Sequence, residues 1–398
     1  MIPDLDSQIG ISVYSTDFSG IGGNIRDIPE NFHVSEQISE KSQKSINNKD
    51  GYAVYKLKKK RIDTNHTLSD IFRKKGIRLK SLGLKDASAV TEQFVCSGNK
   101  NKAIDNFTTE KYSLEHVGYV KKPLSKKDMI GNHFKIKISN CTEDLSSFTD
   151  YQKILNFYGY QRFGSKRPVT HLIGKAIIQK DFSKAVDLIL AFTSDSDSKE
   201  NNEIREKLLD RENYEKYLDS IPFQMDIERI VLKEMIQHGD SFKAIRAIPL
   251  SLRRFYIQAY QSFIFNQSLS LSFSDGEDLF HAKTGDVCFD FKGIIGKFVT
   301  GLDQKLALPF VGYSYYKKTR FDYHISKILY QEEISPKDFF IKEMQEVSNE
   351  GGFRQAAIHC TSYSSDGNMV EFSLSRGSFA TIILREIMKP SNPISAGF

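Results

Sequence analysis

The chain has 398 residues, enough for two or three domains and a sizeable core. It is 39% hydrophobic and 12% aromatic, a globular composition with 29 Phe, 18 Tyr and no Trp. The net charge of +6, from 56 Lys and Arg against 50 Asp and Glu, is mild, so its distribution matters more than its total. Four dispersed cysteines without a C-x-x-C pair, and nine histidines in no ligand spacing, argue against a zinc ribbon or redox motif, and no metal is expected. No apolar run reaches the ~20 residues of a bilayer span. Met1–Asp6 has no leader pattern. The expectation is a soluble, cytoplasmic protein with no membrane partner.

In chain order, Phe32–Glu36 and Tyr52–Lys58 alternate apolar and polar residues, as half-buried strands do. Thr64 is placed to cap a helix running to about Lys75, with Leu68, Ile71 and Phe72 on one face and Gly76 just past its end. From Gly51 to Lys85 there are 11 Lys and Arg against 2 Asp and Glu, a net of +9. His133–Ile138 alternates again, and Leu145–Tyr158 has helical spacing. From Gly174 to Phe265 nearly everything reads as helix. Within it, Asp195–Glu228 holds 11 acidic and 5 basic residues, a net of −6, a surface expected to face away from nucleic acid. Residues 278–315 return to short strand-like runs. Met369–Leu374 reads as a strand, followed by a helix from Ser378 to Met388 capped by Ser378. The simplest architecture inserts a middle domain between two parts of one sheet domain, with boundaries at 1–160, 161–350 and 351–398.

Gly83-Leu84-Lys85-Asp86-Ala87-Ser88-Ala89-Val90-Thr91-Glu92-Gln93 is the most informative segment. It sets one carboxylate, Asp86, among small residues, after a lysine and next to the basic run. A small-residue loop admits a substrate backbone, and the basic run attracts a polyanion, so the segment points to chemistry on nucleic acid. Gly131-Asn132-His133-Phe134 offers Asn132 as a donor and acceptor for a base edge and Phe134 as a stacking surface. Asn156–Gly164 is an aromatic and glycine cluster with Arg162, followed by Ser165-Lys166-Arg167-Pro168. It reads either as a core cluster or as a hinge bearing cations for phosphates. There is no G-x-G-x-x-G, no Walker lysine loop and no G-x-S-x-G elbow, so no cofactor is expected.

Taken together, these segments resemble the TruD family of tRNA pseudouridine synthases. Pro29-Glu30-Asn31-Phe32-His33-Val34-Ser35-Glu36 is similar to P-E-D-F-x-V-x-E, and Gly83–Gln93 to G-x-K-D-x-x-A-x-T-x-Q. Gly131-Asn132-x-Phe134, the Asn156–Gly164 block, Ala259–Asn266 and Gly377-Ser378-Phe379-Ala380-Thr381 follow in family order. The acidic helical stretch between 195 and 240 resembles the longer archaeal members. Asn31 replaces the family's aspartate, Phe157-Tyr158 inverts its Tyr-Phe order, and Arg26 stands where many members carry lysine.

The resemblance implies a mixed α/β (α+β) sheet as the pseudouridine synthase catalytic domain, with an inserted, largely helical TRUD domain. It implies isomerisation of uridine to pseudouridine at uridine 13 of the tRNA D arm, with Asp86 as the catalytic aspartate. Phe32, Asn132, Phe134 and Phe379 would line the uracil pocket. Arg26 or Lys85 would hold Asp86 ionised, with Lys85 equally placed as a phosphate contact. Lys56, Lys58, Lys60, Arg73, Lys74, Arg162 and Arg167 are the expected contacts to RNA backbone. The implied partner is tRNA, with other structured RNA open and no protein partner required. The rival reading is a non-catalytic RNA-binding or RNA-folding protein on the same fold.

Overall fold

A computed structural model describes residues 1–47, 49–85, 87–315 and 319–398. The first part holds α1 (Asp4–Gln8), β1 (Phe32–Ile38), α2 (Glu40–Ser45), β2 (Tyr52–Lys59), α3 (Thr64–Lys75), β3 (Leu79–Ser81), β4 (Val90–Ser97), β5 (Phe107–Thr108), β6 (Tyr112–Val120) and β7 (Met129–Lys137). The middle holds α4 (Thr170–Ile178), α5 (Phe182–Ala191), α6 (Lys199–Lys207), α7 (Tyr214–Tyr217), α8 (Asp226–His238), α9 (Ser241–Ala247) and α10 (Leu250–Ser274). It continues with β8 (Val287–Phe289), β9 (Ile295–Lys297), β10 (Lys305–Phe310), α11 (Asp322–Gln331) and β11 (Gly352–Gln355). The chain then returns through β12 (Cys360–Asp366), β13 (Met369–Ser375) and α12 (Ala380–Met388).

The large sheet runs β12-β13-β7-β1-β4-β2-β6-β5, with β3 on β4. Its last two strands in sequence therefore join its first seven, and the middle segment is inserted between them. β1 and β4 run parallel, with His33 beside Val90 and Val34 beside Thr91. A parallel pair needs a crossover, which β2, α3 and β3 supply. Both strands consequently start at the same edge of the sheet. The segments leading into them, one ending at Phe32 and the other at Ala89, arrive side by side. β7 lies antiparallel on the other side of β1, setting Phe134 opposite Val34 and Asn132 opposite Glu36. β13 follows, with Phe372 opposite Phe134.

Side chains alternate across a strand, so register fixes two faces. Phe32, Val34, Phe134, Ile136 and Phe372 point into the main core, which also contains Ile382, Ile383 and Ile387 of α12. Further along the same face, Tyr55, Leu57 and Val95 pack with Ile71 of α3. His33, Ser35, Lys56, Lys58, Lys135 and Glu371 occupy the opposite face, which remains half-exposed or exposed.

The middle segment is helical except for a small sheet ordered β11-β10-β8-β9. α4 and α10 approach closely at Gly174, where an added Cβ would stand 2.1 Å from the Tyr256 carbonyl oxygen.

Three local expectations change. Leu145–Tyr158 is not a helix: only Leu145–Ser147 forms a 3₁₀ turn, and Ile154, Leu155 and Phe157 are fully buried in irregular chain. Their apolar spacing reflects burial without helical periodicity. Asp63, not Thr64, caps α3, accepting from the His66 N–H, while Gly76 takes the expected left-handed conformation at its end. α12 starts at Ala380 and Ser378 does not cap it. β11 pairs with β10, so the small sheet extends to Gln355.

Candidate active site

The loop that enters β4 is held by a buried polar network. Lys85 Nζ donates to Glu36 Oε1 over 2.9 Å, and Glu36 Oε2 accepts from the Phe94 N–H at 3.0 Å. The Lys85 main chain is fixed at both ends. Its N–H donates to Thr64 Oγ1 at 2.9 Å, and its carbonyl accepts from Lys59 Nζ at 3.1 Å. Thr64 Oγ1 in turn donates to Gln93 Oε1, and Gln93 Nε2 donates to the Gly83 carbonyl. Thus β1, β2, α3 and β4 each contribute one side chain to a backbone segment that is otherwise a loop. A polar network of this kind is rigid when its members are satisfied. Asp86 itself lies outside the described residues.

Six of the side chains expected at the site line one cleft of about 380 Å³: Arg26, Phe32, Lys85, Asn132, Phe134 and Phe379. They come from well-separated parts of the chain. The volume falls within the range of ~300–1,000 Å³ of small-ligand pockets. Phe32 and Phe134 meet edge to face at 6.4 Å between centroids, and Phe134 leans on Phe372 at 5.4 Å. The Arg26 guanidinium lies 4.3 Å above the Phe32 ring and donates through Nη1 to the Gly397 carbonyl at 2.8 Å. Arg26 has φ +62°, a conformation that costs a non-glycine residue energy and marks a constrained position.

Two buried polar atoms in the cleft lack a hydrogen-bond partner among the described residues: Asn132 Oδ1 and Thr91 Oγ1. Leaving such atoms unsatisfied costs about 1–3 kcal/mol each, which a ligand with matching groups offsets. The other lining residues include Lys126 and Arg376. The described lining thus carries four cations and no carboxylate. α12 begins at the cleft, so its N-terminal dipole adds positive potential there. Larger cavities exist, for example about 420 Å³ between Asp4, Ser165 and Asn392, but that one lacks the converging rings and cations.

The expected backbone contacts are dispersed. Lys56 and Lys58 leave β2 on the sheet face opposite the cleft, and Lys56 pairs with Glu92 at 3.5 Å. Lys60 pairs with Glu30 at 3.2 Å. Arg73 and Lys74 lie in the last turn of α3, on the cleft side, and both reach Asp70. These cations hold the Asp70 carboxyl far below its ordinary range, Lys74 most, with a hydrogen bond from Tyr112 adding to them. Phe72 beside them is 43% exposed, not buried as its helical spacing implied. Arg167 points inward: its nitrogens donate to the Phe192, Leu188 and Ile189 carbonyls and to Glu228. Burial pushes its guanidinium down to about 10, with the neighbouring Arg205 acting in the same direction. This is an internal brace. Arg162 is half-buried over the rings of Tyr158 and Phe255.

Sequence reading assigned no site role to Glu36, Lys59, Thr64, Thr91, Gln93 or Arg354. Glu36, Thr91 and Gln93 stood inside the quoted segments, but nothing in their spacing assigned them a partner. Among the described residues there is no group of three or more His, Cys, Asp and Glu side chains arranged to hold a metal. No helix of the described residues is long and apolar enough to cross a membrane.

A family model described as tRNA pseudouridine synthase D (TruD) matches residues 8–387. A probable tRNA pseudouridine synthase D from Methanosarcina mazei is 29% identical over 438 residues, covering 99% of each chain. One of the same description from Pyrobaculum islandicum is 30% identical over 423 residues, covering 100% of this chain and 99% of its own. The crystal structure of the TruD protein from Methanosarcina mazei matches with a TM-score of 0.81 at 27% identity, covering 99% of both chains. On the extent of these matches, the chain belongs to the TruD family, tRNA pseudouridine synthase D.

Proposed function

We propose that this chain converts uridine to pseudouridine in tRNA, at uridine 13 of the D arm, with Asp86 as the catalytic aspartate. The observation that carries the reading is the cleft: Arg26, Phe32, Asn132, Phe134 and Phe379 converge beside the rigidly held segment 83–85. The family's description supplies the substrate class.

The reaction breaks the N1–C1′ bond and forms C5–C1′. The proton lost from C5 is balanced by one gained at N1, so the change is an isomerisation with no net oxidation. The target base must first leave its stack, at a cost of a few kcal/mol. Contacts with the aromatic rings of the cleft return about 1–3 kcal/mol, and the Asn132 amide matches an imide edge. A carboxylate at residue 86 would attack C1′ or the base, or remove a sugar proton. Arg26 would supply the positive charge that favours its ionised form. Lys85 has a different task, since its ammonium is committed to Glu36. We therefore assign Lys85 to holding the loop and not to a phosphate.

For the RNA path we retain Arg73 and Lys74 on the cleft side of the sheet. Lys56 and Lys58 on the opposite face, Lys60 in its pair with Glu30 and Arg167 in its internal brace are not assigned to that path.

The test is incubation with an unmodified tRNA transcript, without cofactor, followed by mapping of pseudouridine. Pseudouridine at position 13, lost when that uridine is replaced by cytidine, supports the reading. Tight binding without conversion supports the non-catalytic RNA-binding alternative.

A further inference from the structure

Two arginines lie against the Tyr158 ring, and neither has a carboxylate partner among the described residues. Arg354, on β11, places its guanidinium 4.0 Å from the Tyr158 ring centroid, and Arg162 lies 5.2 Å from the same ring. Arg354 donates to the Asn156 carbonyl at 3.2 Å and to Asn156 Oδ1 at 2.8 Å, both neutral acceptors. The surrounding rings are Phe265 of α10 at 5.7 Å from Arg354, Phe379 at 6.0 Å, and Phe255 of α10 at 5.1 Å from Arg162. The pair therefore sits where the inserted helical segment meets the loop that begins α12. Gln161 and Phe379, which line the cleft, lie directly alongside.

Two guanidinium groups brought together in half-buried, ring-lined surroundings are an unbalanced charge. Burial pushes both below their ordinary range, and Arg162 adds to the effect on Arg354. Several other buried or partly buried arginines in this chain meet acids: Arg167 and Arg205 share Glu228, Arg253 meets Glu346, and Arg320 meets Asp286, while Arg229 donates to the Ile221 carbonyl. The contrast indicates a place prepared for an anion from outside. Guanidinium is the group best matched to phosphate oxygens.

We infer that Arg162 and Arg354 form a phosphate subsite, holding the RNA phosphodiester next to the nucleotide that enters the Phe32–Phe134 cleft. The inference rests on the tRNA reading above. Its substrate class is a sugar–phosphate backbone, so it contributes affinity and placement without reading sequence. Both guanidinium groups lie against the Tyr158 ring. The inserted segment thereby takes part in substrate placement through Phe255 and Phe265, which support the clamp.

The test uses the full chain and an unmodified tRNA transcript. Arg162→Gln and Arg354→Gln are each compared with Arg162→Lys, which keeps the charge. The readouts are KM, kcat, thermal stability and the slope of log affinity against log salt. We expect each glutamine variant to raise KM about tenfold or more with kcat within about threefold, and to lower the salt slope by about 1. Arg162→Lys should retain the slope. Should Arg354→Gln not fold, Arg162→Gln carries the test alone, since among the described residues its guanidinium contacts the rings of Tyr158 and Phe255 and no carboxylate. An unchanged salt slope with lowered thermal stability would make the pair an internal brace and overturn the proposal. A shift in stabilisation by inorganic phosphate without any change in tRNA affinity would assign the subsite to a free anion and overturn it as well. These failures are separable from failure of the tRNA reading, in which the unaltered chain itself would form no pseudouridine.

Discussion

Lys85, in the loop that enters β4, and Glu36 of β1 form a buried ion pair, 2.9 Å from Nζ to Oε1, with the glutamate side chain fully enclosed and the lysine 7% exposed. The pair ties that loop to β1. It closes the network that fixes the backbone immediately before Asp86. A buried pair of this kind adds little over an apolar pair of the same volume, but breaking it strands a charge.

Glu36→Gln is therefore expected to destabilise the fold by about 3–5 kcal/mol, read as a shift in the urea midpoint with unchanged slope. Glu36→Leu combined with Lys85→Met should recover much of the stability while slowing conversion, because the loop loses its anchor. Equal stability of Glu36→Gln and the unaltered chain would show that the pair is not enclosed as described.

Gly397 controls Arg26 from the far end of the chain. Its carbonyl accepts from Arg26 Nη1, and its φ of +93° suits glycine. A Cβ there would stand 2.0 Å from the Ile25 carbonyl oxygen. Gly397→Ala must displace the segment, at a cost of about 1–3 kcal/mol. We expect kcat to fall while tRNA affinity holds, as the proposed role of Arg26 at the reacting base requires. A fall in affinity with unchanged kcat would place Arg26 in RNA binding instead.

Much of this site was legible in the sequence. Phe32, Asn132, Phe134 and Phe379 stood in recognisable segments, and alternation predicted the strands that carry them. What alternation could not supply was register. Lys56, Lys58 and Lys60 share a strand face by simple counting. Only the pairing of β2 with β4, and of β4 with β1, reveals that this face is turned away from the cleft. The Glu36–Lys85 pair and the Arg162–Arg354 clamp join positions far apart in the chain, so no local pattern announces them. Leu145–Tyr158 misled because buried irregular chain carries apolar residues as densely as a helix does, whereas the start of α12 differs from the expected Ser378 by only two residues.

The register yields a prediction of its own. Charge reversal of Arg73 and Lys74 should weaken tRNA binding and lower its salt slope, since fewer counterions are released. Reversal of Lys56 and Lys58 should leave the slope nearly unchanged. Titrating tRNA at several salt concentrations separates the two, and equal slopes in both double variants would reject a footprint confined to the cleft side.

His171 sets a limit on acid stability. It is buried against Phe263, with ring centroids 4.9 Å apart, and burial depresses its pKa to about 4 from the ordinary 6.5. The unfolded chain thus binds a proton that the folded chain refuses between those values. Stability from this group is complete above pH 6.5 and is lost as pH falls toward 4. The loss is on the order of 3 kcal/mol. His171→Phe should flatten that decline in urea unfolding between pH 7 and pH 4, whereas an unaltered decline would exclude His171 as its source.

The most direct measurement is single-turnover conversion of unmodified tRNA by Asp86→Asn beside the unaltered chain, with tRNA affinity determined for both. The amide nearly matches the carboxylate in size but is neither nucleophile nor base. The account predicts affinity within about threefold and no pseudouridine at position 13, since truncating one catalytic group spares contacts made elsewhere. Conversion by correctly folded Asp86→Asn at a rate near that of the unaltered chain would contradict it.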